Sequence, residues 1–186
     1  GADGPGPLVL LVHGGPWGRD AFGFNAEHQW LANRGYAALS VNFRASPGFG
    51  KAFVNAGDRE WGGRMDDDLP DAVAWEVAEG IADPARVGIM GTSYGGYATL
   101  AALARNPDTY ACGIDVAGPA NLETLLRTVP PYSPPFRPQP TRAIAHPDTA
   151  ECLALLRARP PLPLAARLRP PPPLPPGAPH PRLAPP

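Results

Sequence analysis

Apolar positions change their spacing several times along the first 120 residues, and each change marks an element. Pro7-Leu8-Val9-Leu10-Leu11-Val12 is apolar without interruption, the pattern of a strand covered on both faces. A helical pattern near 25–34 and a second strand near 36–42 follow it. Leu69, Val73 and Val77 then recur at helical spacing, which predicts a helix near 66–79. Arg86-Val87-Gly88-Ile89-Met90 predicts a strand near 86–90, the small residues from Gly96 to Leu103 a helix near 95–105, and the segment from Ala111 to Val116 a strand near 111–116. Strands alternating with helices imply an α/β fold, a mostly parallel sheet with helices on both faces.

The pattern then breaks. Of 28 prolines, 20 fall between Pro130 and Pro186, including Pro170-Pro171-Pro172-Pro173. Proline donates no ladder hydrogen bond and favours extended polyproline conformations. The chain therefore divides into a core at 1–132 and a proline-rich, degraded or disordered segment at 133–186, which also has the composition of a linker or of a ligand for aromatic-grooved partner domains. The 186 residues, 44% hydrophobic, suit one domain with a sizeable core.

A net charge of −1 gives no basic patch for nucleic acid. No apolar run is long enough to cross a membrane, so no membrane partner is expected, and the start, Gly1-Ala2-Asp3-Gly4-Pro5, reads as a beginning inside a longer protein. Cys112 and Cys152 form no metal or disulfide pattern. Cys112 reads as buried filler in an apolar strand and Cys152 as part of a helix, a usage that fits a reducing, cytoplasmic compartment.

Candidate chemistry centres on Gly91-Thr92-Ser93-Tyr94-Gly95, placed between a strand and a helix. A turn that sharp needs flanking residues without bulk, hence Gly91 and Gly95, and it leaves the Ser93 hydroxyl exposed at the positive end of the following helix. Ser93 is the candidate nucleophile. The apolar strand at 7–12 runs into His13-Gly14-Gly15-Pro16. In an α/β-hydrolase this loop supplies one oxyanion-hole N–H and the residue after the nucleophile supplies the other. Those donors would be Gly15 and Tyr94, with His13 and Gly14 shaping the loop.

From Pro7 to about Tyr132 the chain resembles the catalytic domain of the prolyl oligopeptidase family of serine peptidases, nearest its acylaminoacyl-peptidase and dipeptidyl-aminopeptidase-like branch. The segments that carry this are His13-Gly14-Gly15-Pro16-Trp17, Asn42-Phe43-Arg44-Ala45-Ser46-Pro47-Gly48-Phe49-Gly50, Glu60-Trp61-Gly62-Gly63, Asp67-Asp68-Leu69 and Ile81-Ala82-Asp83-Pro84. The resemblance implies an α/β-hydrolase fold, incomplete towards its C-terminal part. It implies a peptide substrate, an acyl-enzyme on Ser93, no cofactor and no metal. A β-propeller domain would accompany the domain in the parent chain and is absent from these residues. Oligomeric state is not implied.

The resemblance also implies a triad aspartate and histidine downstream, and neither has a match. Where the family has aspartate in a Gly-Ala-x-Asp-Pro-Arg pattern, this chain reads Gly177-Ala178-Pro179-His180-Pro181-Arg182. Pro161-Leu162-Pro163-Leu164 and the residues after them stand where the family has an apolar strand, as if prolines had replaced a core strand. Asp115 is a candidate substitute acid, whereas Asp108 and Asp148 read as turn or cap residues. His28 lies in a helical segment, His146 before a proline and His180 in a proline tract, none in the context of a general base. Without a positioned base the chain would be a feeble hydrolase. An esterase of the same fold and a non-catalytic fragment are the other readings.

Two further clusters have bland alternatives. Asp66-Asp67-Asp68 opens a helix, where acids favour the dipole more simply than they hold a metal. Trp61 and the stretch from Phe49 to Phe53 either line a pocket or pack beneath loops.

Overall fold

The computed structural model describes residues 4–128, 144, 149–159 and 161–168. Four strands form one parallel sheet in the order β2-β1-β3-β4, with β1 at Gly6–Val12, β2 at Ala37–Ser40, β3 at Ala82–Thr92 and β4 at Cys112–Val116. The helices are α1 at Ala26–Ala32, α2 at Lys51–Asn55, α3 at Arg64–Ala78, α4 at Tyr94–Arg105, α5 at Leu122–Thr128 and α6 at Ala150–Ala158, followed by a 3₁₀ turn at Leu162–Arg167. Right-handed crossovers require α1 on one face when the chain steps from β1 out to β2, and α3 and α4 on the other when it steps back past β1 to β3 and β4. The parallel sheet with helices on both faces expected from the sequence is the fold observed.

The core lies between the sheet and the α3–α4 layer. Leu8, Leu10 and Val12 of β1 and Val87 and Ile89 of β3 pack with Met65, Leu69 and Val73 of α3 and with Tyr97, Ala98, Ala101 and Ala102 of α4. Alanines and glycines along α4 let the helix approach the sheet closely, so it contacts β1, β3 and β4. β3 begins four residues earlier than its apolar run, because Ala82 pairs with Gly6 across a bulge between Gly6 and Leu8.

Cys112 is exposed, which corrects its reading as buried filler. Successive residues of a strand face opposite sides. Gly113 faces α4, where an added Cβ would press on Leu103 and Thr99, so Cys112, Ile114 and Val116 face the other side. There α1 packs against β2 and leaves Ile114 56% and Val116 45% exposed. An apolar strand is thus laid down in full, but among the described residues nothing covers that face of it.

The described part of the proline-rich segment is helical and docked. Thr149 caps α6 by accepting from the Cys152 N–H (3.3 Å). Cys152 and Leu156 are buried. The Arg159 guanidinium donates to the carbonyls of Arg59 and Trp61, while the Tyr97 hydroxyl donates to the Arg159 carbonyl (3.3 Å). Residues 162–167 pack on α4 as a 3₁₀ turn and form no strand. His146, Asp148, His180 and the four-proline run at 170–173 lie outside the described residues.

The three acids opening α3 are each engaged by an arginine. Asp68 accepts a bidentate pair from Arg44 and also the Arg44 backbone N–H (2.9 Å), and this bonding holds the Arg44 guanidinium above its ordinary pKa. Arg105, at the end of α4, reaches Asp66 (3.4 Å), Asp67 (3.0 Å) and the Gly63 carbonyl (3.2 Å). Asp66 is fully buried, and burial pushes its carboxyl up from 3.8 to about 7 against the pull of Arg105.

In the unfolded chain Asp66 ionises near 3.8, so between there and about 7 the folded state holds the extra proton. Its contribution to stability is complete below the lower value and is lost as pH rises through the upper one. Asp66→Asn is expected to raise the melting temperature at pH 7–8 and to flatten its decline between pH 5 and 7, with a gain on the order of 1–3 kcal/mol. Melting curves of both proteins across that range check this; a variant less stable at pH 8 would show that the Arg105 pair outweighs desolvation.

Candidate active site

The site forms where β1 and β3 end side by side, with Val12 paired to Gly91. β3 leads directly into α4 through Ser93, whose backbone is held at φ 60° and ψ −118°. A serine is strained there. The Ser93 N–H donates to the Val116 carbonyl (2.9 Å), extending the β3–β4 ladder one residue past the strand and fixing the turn. The side chain is exposed, while Tyr94 through Thr99 behind it are buried.

The geometry explains the two elbow glycines. A Cβ on Gly91 would overlap the backbone of Gly95, and a Cβ on Gly95 would overlap the Val12 carbonyl. β1, the elbow and α4 therefore touch backbone to backbone. Gly14 lies against the same turn, with room for a Cβ only 3.1 Å from the Thr92 carbonyl and 3.6 Å from Ser93 Cβ.

Gly15 adopts φ 118°, a conformation that side chains disfavour. The loop closes on itself when the Gly18 N–H donates to the Gly14 carbonyl (3.2 Å). Neither the Gly15 N–H nor the Tyr94 N–H donates to an acceptor among the described residues. The unengaged Tyr94 amide thus adjoins the exposed Ser93 at the start of α4, and the unengaged Gly15 amide belongs to the loop that meets Ser93 at Gly14; amides of this kind are able to stabilise an oxyanion.

The loop is braced from below. The His13 ring stacks on Phe43 (centroids 4.3 Å apart, 18° between planes), Nδ1 donates to the Gly14 carbonyl (3.0 Å), and Nε2 accepts the Ser46 hydroxyl (2.9 Å). This occupies both ring nitrogens. Ser46 is fully buried; the Asn-Phe-Arg-Ala-Ser stretch marked it as part of a motif, yet nothing in that stretch disclosed that its hydroxyl locks His13. Tyr94 packs its ring against Phe43 (5.4 Å), Trp61 (4.6 Å) and Tyr97 (5.8 Å), and burial holds its hydroxyl well above the ordinary phenol pKa. Trp61 is consequently a core residue beneath the elbow, 5% exposed, while Phe49 remains 51% exposed and packs on Phe53 (5.3 Å).

Asp115 reaches the flank of the elbow, opposite Gly91, but its Oδ1 accepts the Gly118 N–H (2.8 Å) and braces the turn after β4. Asp108 lies in the turn between α4 and β4. His28 Nε2 is engaged with the Ser40 hydroxyl (2.8 Å) in a cleft of about 210 Å³ that also borders His13, Gly14, Asp20 and Thr92. Among the described residues no imidazole is bonded to Ser93. The loop after β1 thus meets the turn at Ser93 through Gly14, while no described imidazole or carboxylate is bonded to the Ser93 side chain.

Among the described residues no helix is long and apolar enough to cross a membrane. Residues 22–142 match the model of the prolyl oligopeptidase family. The chain is 56% identical over 168 residues to dipeptidyl aminopeptidase BIII of Pseudoxanthomonas mexicana, a match that covers 90% of this chain and 24% of that protein. It superposes on a puromycin-hydrolyzing peptidase of Mycobacterium tuberculosis with a TM-score of 0.80 and 31% identity, covering 88% of this chain and 24% of that one. An acylaminoacyl peptidase of Pyrococcus horikoshii gives a TM-score of 0.79 at 28% identity over 89% of this chain and 26% of its own. The chain thus spans about a quarter of the length of each of these proteins.

Proposed function

The chain belongs to the prolyl oligopeptidase family, and on that footing we propose that it carries the nucleophile half of a serine peptidase acting on short peptides. Ser93 attacks the scissile carbonyl, the Gly15 and Tyr94 N–H groups receive the oxyanion, and an acyl-enzyme forms that water later hydrolyses. Gly91 and Gly95 make the turn that presents Ser93, while His13 and Gly14 hold the oxyanion loop in place. The observation that carries the reading is the exposed, conformationally strained Ser93 at the start of α4, against a loop whose Gly15 amide, like that of Tyr94, is unengaged among the described residues. No residue of this arrangement requires a metal or an organic cofactor.

Further parts of the proposal concern the whole protein. Its triad aspartate and histidine would come from residues outside those described. A β-propeller domain would restrict access to short peptides. The relatives are named as a dipeptidyl aminopeptidase, a puromycin-hydrolyzing peptidase and an acylaminoacyl peptidase, which favours peptide amides over simple acyl esters as substrates. The exposed thiol of Cys112 favours a reducing, cytoplasmic location.

Hydrolysis by the full-length gene product tests the reading. Dipeptidyl and N-acyl-aminoacyl amides are compared with acyl esters of the same acyl groups. Turnover of the amides at a kcat/KM within about a hundredfold of the esters is expected; turnover of esters alone would place the protein among esterases of the same fold.

A further inference from the structure

Arg19 follows the loop that meets Ser93 and, among the described residues, has no carboxylate partner. The oxyanion loop lies against Ser93 at Gly14 and turns back so that the Gly18 N–H meets the Gly14 carbonyl (3.2 Å). Arg19 is the next residue along the chain from Gly18, and it is exposed. Its guanidinium lies over the ring of Phe49, 4.9 Å from the centroid. The niche is made by Gly48, at φ 94°, where any Cβ would overlap that guanidinium.

Gly48, Phe49 and Ser46 belong to one loop, and the bond from the Ser46 hydroxyl to His13 ties that loop to the oxyanion loop. Arg19 and Phe49 therefore stand together beside the loop whose Gly14 meets Ser93. Among the described residues Arg19 pairs with no acid. Asp20 does not supply one, because its backbone is laced to Asn42 and it borders the cleft beside α1. Lys51, two residues past Phe49 at the start of α2, adds a second positive charge.

A guanidinium held over an aromatic ring keeps N–H groups free while its side-chain entropy is already reduced, which suits bidentate capture of a carboxylate. We propose that Arg19 is a specificity residue that binds a carboxylate of the peptide substrate, a reading that rests on the peptidase assignment of Ser93. The carboxylate is either an acidic side chain or the free C-terminus of a short peptide.

Three peptides with the same scissile sequence separate these sources in the full-length gene product: one neutral and amidated, one neutral with a free C-terminus, and one amidated with a single aspartate. Arg19→Gln is expected to lower kcat/KM for one of the two carboxylate peptides about five- to tenfold more than for the neutral amide. The loss should shrink in 0.5 M salt, since exposed charges are then screened, and Arg19→Lys should recover part of it. A selective loss on the free C-terminus names the chain end as the ligand, and a selective loss on the aspartate peptide names the side chain. Equal losses on all three peptides, or none, would overturn the proposal. If the wild-type protein cleaves none of them, the peptidase reading has failed by itself. Calorimetric binding of the same peptides to wild type and Arg19→Gln then decides the role of Arg19, and a carboxylate preference that is the same in both proteins, or absent from both, rejects it.

Discussion

Ser93→Ala in the full-length gene product lowers kcat for peptide hydrolysis by a factor of about 10⁴ to 10⁶ and leaves KM within a fewfold of wild type. Loss of that size is what removal of a covalent nucleophile produces, because the oxyanion donors and binding contacts that remain supply only a small residual acceleration. A residue that merely capped α4 would behave differently, since capping changes stability by about 1 kcal/mol and leaves chemistry elsewhere untouched. The structure adds a second readout. Ser93 sits at φ 60°, strained for any side chain, so Ser93→Gly should raise the unfolding free energy by about 1 kcal/mol while abolishing turnover. Activity retained in either variant would remove Ser93 from the mechanism. In the 186-residue chain by itself, labelling of Ser93 by a fluorophosphonate should be slow. Of the described imidazoles, His13 is held by Gly14 and Ser46 and His28 by Ser40, and a serine without a base is a weak nucleophile.

What could be read from the sequence is what backbone chemistry dictates locally. The uninterrupted apolar run at 7–12 gave β1, because a strand between two helical layers cannot alternate. Leu69, Val73 and Val77 gave α3 to within two residues, and the elbow followed from glycines that the backbone contacts at Val12 and Gly95 require. Legibility fails where a side chain's role depends on a distant partner. Asp66 reads as one of three acids favoured by the dipole at a helix start, yet it is enclosed, with Arg105, 39 residues later, bonded to it. Ser46 reads as a loop serine until His13 folds onto it. Cys112 reads as buried because its strand is apolar, whereas its exposure is decided by how far α1 extends across the sheet. α2, at five residues, is too short to show a period.

The tightest constraint on the site is the contact between β1 and α4, and Gly95→Ala tests it. A single added methyl at Gly95 would overlap the Val12 carbonyl and lie 3.3 Å from the His13 carbonyl. Both neighbours are backbone, and Val12 is held in the middle of the sheet through its pairing with Gly91. No rotamer change can relieve the overlap, so α4 must move away from the end of β1. That displacement opens the core between Val12, Tyr94 and Ala98, and overpacking of this kind costs on the order of 3 kcal/mol. It also separates the two amides proposed as oxyanion donors, since Tyr94 rides on α4 and Gly15 on the loop after β1; a shift near 1 Å would cost about a hundredfold in kcat. Gly6→Ala is the matched control, because a Cβ at Gly6 meets nothing within 4 Å. Melting curves and kcat for the two variants should therefore diverge, with Gly6→Ala near wild type in both. A Gly95→Ala protein that melts and turns over like wild type would mean that the elbow carries slack, and that the close backbone packing of β1 against α4 does not set the position of Ser93.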